Sequence, residues 1–492
     1  MSIITVQNLT FAYDGTYQNI FENTSFTMDS SMRIGLTARN GRGKTTLLKI
    51  LAGELEYSGS VRTSVRFDYF PYEVEDEELT AVELIAGVAG LDRELDEWRI
   101  VRELGLLDVQ EEALYRPFCT LSGGERSKVQ LAALFLRDNN FLLIDEPTNH
   151  LDMDARKTLG DYLVRKEGFI LVSHDRALLD RCTTHTMAIN KTGITIEAAT
   201  FSTWEANREA RDRMEARRNE RLKHEIDRLE TAMKRGEVWA DKVEAEKIGQ
   251  GVYDRGYIGA HSAKMMKRAK STQARIQRMI DEKSELLRDT ERTFALKLES
   301  AEHYRETLFE LSDVSLSYDG NIVFSNLSLK ISRGERLCLS GKNGCGKSSL
   351  IKLLLGELEP DSGLIRRAPN MKISLVTQDT EGMRGSVYDF AEEGGIDLTQ
   401  FLTILRKLDF PREQFEKDLS QLSSGQRKKA MIARSLCEHA HIYIWDEPLN
   451  YIDVQSRMQI EELLLNYQPT MLFVEHDEVF REKIATRVID MD

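Results

Sequence analysis

Two stretches decide the fold: ARNGRGKTTLLKILAGELE at residues 38–56 and GKNGCGKSSLIKLLLGELE at residues 341–359 are one passage written twice. Each follows a short apolar run, RIGLT or RLCLS, and opens a helical one, so each reads as a strand, a glycine-rich turn and a helix. The second matches G-x-x-x-x-G-K-[ST] in full. Its glycines let backbone N–H groups wrap phosphates, the helix N-terminus adds positive potential, Lys347 reaches the outer phosphates and Ser348 is placed to hold Mg2+. The nucleotide-binding residues expected here are Gly341, Asn343, Gly344, Gly346, Lys347, Ser348 and Ser349, with Asn40, Gly41, Gly43, Lys44, Thr45 and Thr46 in the first copy. The first copy puts Ala38 where the pattern wants its opening glycine. If that position needs φ > 0, alanine costs upwards of ~1 kcal/mol; a compatible geometry costs nothing.

Outward from these turns the repetition persists. Ser122 and Ser423, Asp145 and Asp446, and His174 and His476 recur at a steady offset of about 300 residues, far too long for a solenoid unit and therefore a duplicated domain. Each copy alternates β-rich runs (RIGLT, FLLID, FILVS; RLCLS, IYIWD, MLFVE) with helical stretches, the pattern of an α/β domain with a largely parallel sheet. The expected division is 1–201 for the first domain, 202–300 for a linker and 301–492 for the second domain.

Composition narrows the function classes. Among 492 residues, 67 Lys+Arg stand against 81 Asp+Glu, a net charge of −14 that argues against indiscriminate coating of nucleic acid. The five cysteines are odd in number and never in CxxC spacing, which indicates neither a disulfide framework nor a zinc site and fits a reducing cytosol. The opening MSIITVQNLTFAYDG lacks the basic and apolar regions of a signal peptide. No apolar run approaches the ~20 residues that span a bilayer, so no membrane domain is expected and the location is cytoplasmic.

FLLIDEP and IYIWDEP are buried-strand runs ending in an acidic pair. Asp145 and Asp446 would orient hydrated Mg2+, while Glu146 and Glu447, one residue on and pointing differently, would polarise the attacking water. His174 and His476, in SHDR and EHDE, stand at the ends of the next apolar runs, where they would contact the outer phosphate or that water. LSGGE and LSSGQ each precede a helix. Alone, either is an ordinary helix cap; with its glycine amides, Ser122-Gly123-Gly124 or Ser423-Ser424-Gly425 is also placed to bind an anion.

In this order and twice over, these motifs make the chain resemble an ATP-binding-cassette (ABC) ATPase across both copies. The resemblance implies two tandem ABC-type P-loop ATPase domains packed head to tail, ATP and Mg2+ as cofactors, and a monomer that works as an intramolecular cassette pair. It implies one composite site with Lys44, Asp145, Glu146, His174 and Ser423, and another with Lys347, Asp446, Glu447, His476 and Ser122. Tyr13 and Tyr318, in FAYDG and LSYDG, would stack on adenine, and Thr45, Ser348 and Gln378 would join the two aspartates around the metal. Gln378 lies in SLVTQD, but the first copy reads DYFPYE there, with Tyr72. Ala38, Tyr72 and Ser424 are expected in the same composite site, which should then bind ATP but turn it over more slowly.

Between the cassettes, residues 203–236 contain no proline and place Leu222, Ile226, Leu229 and Met233 on one helical stripe. Residues 262–290 carry Ile276, Ile280 and Leu287 on a matching face, so the two should form a long antiparallel helical hairpin with its tip at about 237–262. Residues 251–280 hold seven Lys/Arg against one acid. Arg255, Lys264, Lys267, Arg268 and Lys270 along such an arm are suited to a phosphate backbone, and Trp239, Tyr253 and Tyr257 to stacking on bases or filling a pocket; a solvated charged coiled coil is the plainer reading. Val252, Tyr253, Tyr257 and Ile258 give the tip an apolar surface without a core of its own, which usually means a partner.

Tandem cassettes with a long helical linker resemble the ABC-F translation factors. More narrowly, the charged RRNE helix, the segment YDRGYIGAHSAKMMKR, DEPTNHLD and DEPLNYID resemble the Lsa-type antibiotic-resistance proteins. That resemblance implies a partner in the 70S ribosome: binding at the exit-tRNA site, the linker on P-site tRNA, and the tip near the 23S rRNA of the peptidyl-transferase centre. There it would relieve lincosamides, pleuromutilins and streptogramin A. The alternatives are a housekeeping ABC-F factor, which shares every ATPase motif, and the ATPase subunit of a transporter, which has no use for a basic helical arm.

Overall fold

A computed structural model of the chain describes residues 2–13, 19–38, 41–149, 151–190, 193–246, 267, 271–272, 274–279, 296, 298, 300–318, 320–342, 344–380 and 382–491. Two compact units result, one of residues 1–202 with 293–492 and one of residues 203–292.

The first unit holds both α/β copies. Strands β1 (Ile3–Phe11), β2 (Phe21–Asp29), β3 (Arg33–Thr37), β4 (Ser58–Arg62), β5 (Arg66–Phe70), β6 (Asn140–Asp145), β7 (Phe169–Val172), β8 (His185–Asn190) and β9 (Gly193–Glu197) belong to the first copy. The second copy has β10 (Thr307–Tyr318), β11 (Asn321–Ser332), β12 (Arg336–Ser340), β13 (Ser362–Arg367), β14 (Ile373–Val376), β15 (Ile442–Asp446), β16 (Met471–Val474) and β17 (Arg487–Asp490). The main sheets run β5-β6-β7-β3-β8-β9 and β14-β15-β16-β12-β17, beside small antiparallel sheets β2-β1-β4 and β11-β10-β13. Every pairing in the main sheets is parallel except β8 with β9.

Continuous apolar runs explain the central strands. FILV of β7 and MLFV of β16 are buried at every residue, as a strand covered on both faces requires. Because β6, β7 and β3 lie side by side and parallel, as do β15, β16 and β12, the loops leaving their C-terminal ends all emerge at one edge of the sheet. That edge receives the phosphate turn after β3 or β12, the acidic pair after β6 or β15, and the histidine after β7 or β16. Register also fixes the equivalence of the copies. Phe70 pairs with Ile144 and Val376 with Trp445, so Tyr72 and Gln378, two residues beyond, occupy matching places.

The second unit contains most of a 46-residue helix, Phe201–Glu246, about 70 Å long at 1.5 Å per residue. It runs past the end expected from the sequence and takes up residues 237–246, which the sequence places in the tip. An interior Gly236 costs only ~1 kcal/mol, and EVWADKVEAE offers no proline to stop the helix. Residues 267, 271–272 and 274–279 are also helical, and Lys267 is exposed. Tyr253, Arg255, Tyr257, Lys264, Arg268 and Lys270 lie outside the described residues, as does the pairing of the two helical stretches. Among the described residues no helix is long and apolar enough to cross a membrane.

Candidate functional site

The two phosphate turns are built alike. Helices Lys44–Ala52 and Lys347–Leu355 start at Gly43 (φ 87°) and Gly346 (φ 98°), and neither first turn is capped by a side chain. Their leading N–H groups and dipole are therefore open to an anion. A Cβ on Gly43 would stand 2.5 Å from Ile20 Cγ2, and one on Gly346 2.4 Å from Val323 Cγ1, so packing as well as φ demands glycine. Lys44 Nζ donates to the Ala38 carbonyl at 3.0 Å, as Lys347 Nζ does to that of Gly341 at 2.7 Å. Gly341 takes φ 145°, but Ala38 is not among the described residues with positive φ, so the alanine carries no backbone penalty. Tyr13 and Tyr318 lie exposed and tied to the helices through Thr46 Oγ1 (3.0 Å) and Ser349 Oγ (3.3 Å). Asn40 and Asn343 fall outside the described residues.

The strand-end acids face these turns. Thr45 Oγ1 donates to Asp145 Oδ2 at 2.7 Å and Ser348 Oγ to Asp446 Oδ2 at 2.9 Å, which joins the two groups expected around the metal in each copy. No cluster of three or more His, Cys, Asp or Glu side chains suited to a metal occurs among the described residues. A hydroxyl and a carboxylate instead suit Mg2+ that takes its remaining oxygens from a triphosphate and water. Glu146 (φ 50°) and Glu447 (φ 46°) both adopt left-handed backbone, held by N–H bonds to the carbonyls of Val172 at 2.9 Å and Val474 at 3.0 Å. This strained kink, of order 1–2 kcal/mol, turns the glutamate away from its aspartate.

The two glutamates differ in surroundings. Glu146 has His174 Nε2 at 3.3 Å and the His174 N–H at 3.3 Å, yet its Oε1 has no hydrogen-bond partner of good geometry among the described residues. Burial, reinforced by Asp145 and opposed by Lys44 and Arg457, pushes its carboxyl up to about 7. Burial acts on Glu447 too, but His476 at 3.5 Å, Asn450 Nδ2 at 2.6 Å and the charge of Lys428 outweigh it and hold the carboxyl below its ordinary value. Gln378 Nε2 adds a donor at 2.9 Å. Burial keeps His174 neutral, well below its ordinary value, with Lys44 and Arg457 acting the same way.

A cavity of about 800 Å³ joins the copies. Its walls carry Ser122, Gly123 and Gly124 of the first copy and Gly344, Gly346, Lys347, Ser348, Ser349, Gln378, Glu447 and His476 of the second. One expected composite site thus appears as a single space. Its counterpart brings Lys44, Asp145, Glu146 and His174 together, with second-copy Asp453 and Lys429 near enough to act on the Lys44 ammonium, which burial lowers. Arg457 of the second copy donates to the His174 carbonyl at 3.0 Å. Ser122 and Ser423 cap helices Gly123–Phe135 and Ser424–Cys437 in full capping boxes with Glu125 and Gln426, so the cap and the expected anion contact share one serine. The Ser423 hydroxyl accepts from the Gln426 N–H at 3.3 Å inside that box.

Tyr72 corrects one expectation. It stands where Gln378 stands, but it lines a cavity of about 510 Å³ with Phe118, Gly123, Arg126 and Gln130 of its own copy, and its hydroxyl makes no hydrogen bond among the described residues. Tyr69 enters the site instead, its hydroxyl donating to Asp145 Oδ2 at 3.1 Å. The sequence does not single out Asn450, Arg457 or Lys428, whose ammonium burial lowers to about 8 against the pull of Glu475, Asp446 and Glu447. Aligning the repeats places Lys428 against Ser127, between the shared Arg126/Arg427 and Lys128/Lys429, one of several differences between the two helices.

The geometry has clear parallels. The ABC transporter family model matches residues 21–149 and 324–450. The ATP-binding protein Uup of Caulobacter vibrioides is 30% identical over 96% of this chain and 75% of its own length. The ribosome protection protein VmlR of Bacillus subtilis is 28% identical over 98% of this chain and 85% of its own. Among solved structures, an RNase-L inhibitor superposes with a TM-score of 0.63 at 21% identity, covering 98% of this chain and 87% of that one, a likeness of fold.

Proposed function

Because this chain belongs to the ABC ATPases, within them to the ABC-F group, and so hydrolyses ATP, we propose that it is a cytoplasmic ribosome-protection factor. In this reading ATP binds with Mg2+ in both composite sites and closes the cassettes. The closed form binds the 70S ribosome at the exit-tRNA site, the linker meets P-site tRNA and the 23S rRNA near the peptidyl-transferase centre, and lincosamides, pleuromutilins and streptogramin A lose their hold. The similarity to a protein named for ribosome protection supports this. The observation that carries it is the 46-residue linker helix between two complete ATPase copies.

Within the cassettes each residue has a defined task. The phosphate turns and Lys44 or Lys347 bind the triphosphate, and Thr45 with Asp145, or Ser348 with Asp446, hold the Mg2+ that neutralises its charge. Glu146 and Glu447 orient the attacking water and draw off its proton, and His174 and His476 keep those carboxylates aimed. Glu447 has the better-supplied surroundings, so the site with Gln378 turns over faster than the site with Glu146. In this reading Arg255, Lys264, Lys267, Arg268 and Lys270 would bind RNA phosphates, and Tyr253 and Tyr257 would act at the tip.

A housekeeping ABC-F factor is the second reading, since the cassettes alone do not separate the two. Lincomycin and tiamulin susceptibility of cells expressing wild type, Tyr257→Ala or Glu146→Gln/Glu447→Gln decides between them. Protection by wild type and its loss in both variants is expected; unchanged susceptibility with wild type would leave the housekeeping reading.

A further inference from the structure

On helix Ser424–Cys437 a lysine is buried where the first copy has a serine. Lys428 is 2% exposed, and its Nζ donates to the carbonyl oxygens of Thr377 at 2.7 Å, Gln378 at 3.3 Å and Asp446 at 3.4 Å. Three acceptors match the three protons of an ammonium. All three are backbone carbonyls, so the hydrogen bonds of the lysine clamp backbone, beside the pull its charge exerts on Glu447. A neutral side chain would fill the same volume without the desolvation that a buried charge suffers. Its three donors therefore distinguish the position.

The acceptors belong to two segments that must meet. Thr377 and Gln378 follow β14, while Asp446 ends β15 and leads into Glu447. Between them runs the hydrogen bond from Gln378 Nε2 to Glu447 Oε2 at 2.9 Å. Lys428 thus holds the backbone on both sides of the contact that aims the glutamate. The first copy lacks this device. Ser127 takes the helix position and donates to Gly123 O at 3.0 Å within its own helix. There the Tyr72 carbonyl is held by Gln130 Nε2 at 2.8 Å, and among the described residues the Tyr72 hydroxyl makes no hydrogen bond to Glu146.

We propose that Lys428 is a positioning residue of the second composite site, fixing the turn at 377–378 against the end of β15 so that Gln378 holds Glu447 toward the attacking water. The proposal rests on Glu447 being the base of that site. Its action is local to one of two sites in one chain, which separates it from a general role in holding the fold.

Steady-state ATPase of the full chain tests it in two backgrounds. Glu146→Gln leaves second-site turnover, and Glu447→Gln leaves first-site turnover. Lys428→Met should lower second-site kcat about tenfold with KM changed less than about twofold, and should leave first-site turnover within about twofold. Lys428→Gln, which keeps two N–H donors, should recover most of the rate. Gln378→Ala should give a comparable loss, and adding Lys428→Met to it should cost nothing further. Equal losses in both backgrounds, or losses that multiply with Gln378→Ala, would overturn the proposal. If Lys428→Met does not fold, Lys428→Ser, which copies the first cassette, enters the same cycle. Failure of the Glu447 assignment reads differently: Glu146→Gln/Glu447→Gln would then keep the Glu146→Gln rate.

Discussion

Removing the Arg176 guanidinium should loosen the closed cassette pair without unfolding either cassette. Arg176 opens the helix that follows His174, and it meets Glu461 of the second cassette with side chains only 6% and 4% exposed. Its Nη1 lies 3.3 Å from Glu461 Oε2, and Nη2 makes a second bond to Oε1, a bidentate pair. Taking one partner from a buried pair costs ~3–5 kcal/mol. Lys483 Nζ, 3.1 Å from the same carboxylate and 48% exposed, offsets part of that. The expected net cost of Arg176→Met is therefore ~2–3 kcal/mol, a factor of roughly 30 to 150 in the closing equilibrium. Dyes placed on the two cassettes of the Glu146→Gln/Glu447→Gln chain would report closure as ATP is added. The midpoint should move to higher ATP, with the thermal transition of each cassette unchanged. Glu461→Gln should be non-additive with Arg176→Met. Superimposed closure curves, or a loss that appears in cassette unfolding instead, would refute the reasoning.

Other expectations rest on single contacts. Gly346→Ala places a Cβ 2.4 Å from Val323 Cγ1 at φ 98°, and nucleotide titration in the Glu146→Gln background should show second-site binding abolished. Gly344→Ala, with nothing within 4 Å, should suffer only the backbone cost, ~1–2 kcal/mol. Tyr69→Phe removes the donor to Asp145 and should slow first-site turnover about three- to tenfold, read in the Glu447→Gln background. Acid should destabilise the second cassette through Asp453 and Asp477. Burial would raise both carboxyls, but Lys429 beside Asp453 and Arg457 beside Asp477 hold them below the usual range. Since the folded values lie below the unfolded ~3.9, their stabilisation is complete above about pH 5 and is lost as pH falls through the folded values. Denaturant midpoints should be flat from pH 8 to about 5 and drop below about 4, less steeply in Asp477→Asn.

Most of the ATPase site is legible in the sequence because its parts are local. A strand, a glycine turn and a lysine sit within one short segment, and a strand-end Asp-Glu pair needs no distant partner to be recognised. Duplication sharpens the reading, since each motif occurs twice. Side-chain direction escapes it. Tyr72 holds the register of Gln378 but turns into its own cassette, and Tyr69, three residues earlier, reaches Asp145 instead. Lys428 and Arg457 escape because their partners, Thr377 and Gln378 in one case and His174 in the other, are far off in sequence and bonded through backbone carbonyls, which leave no residue signature. In the linker, five glycines within residues 236–259 suggest an early turn, yet helix propensity around Gly236 carries the helix on to Glu246.

Ribosome co-sedimentation of the Glu146→Gln/Glu447→Gln chain, with ATP and with ADP, tests the account most directly. With glutamine at both positions neither site can draw the proton from water, so ATP should hold the cassettes closed. This protein should pellet with 70S ribosomes in ATP and not in ADP, and deleting residues 249–260 should leave its pelleting intact, while the same deletion in the wild-type chain abolishes drug protection. Protein that stays in the supernatant with ATP would contradict it.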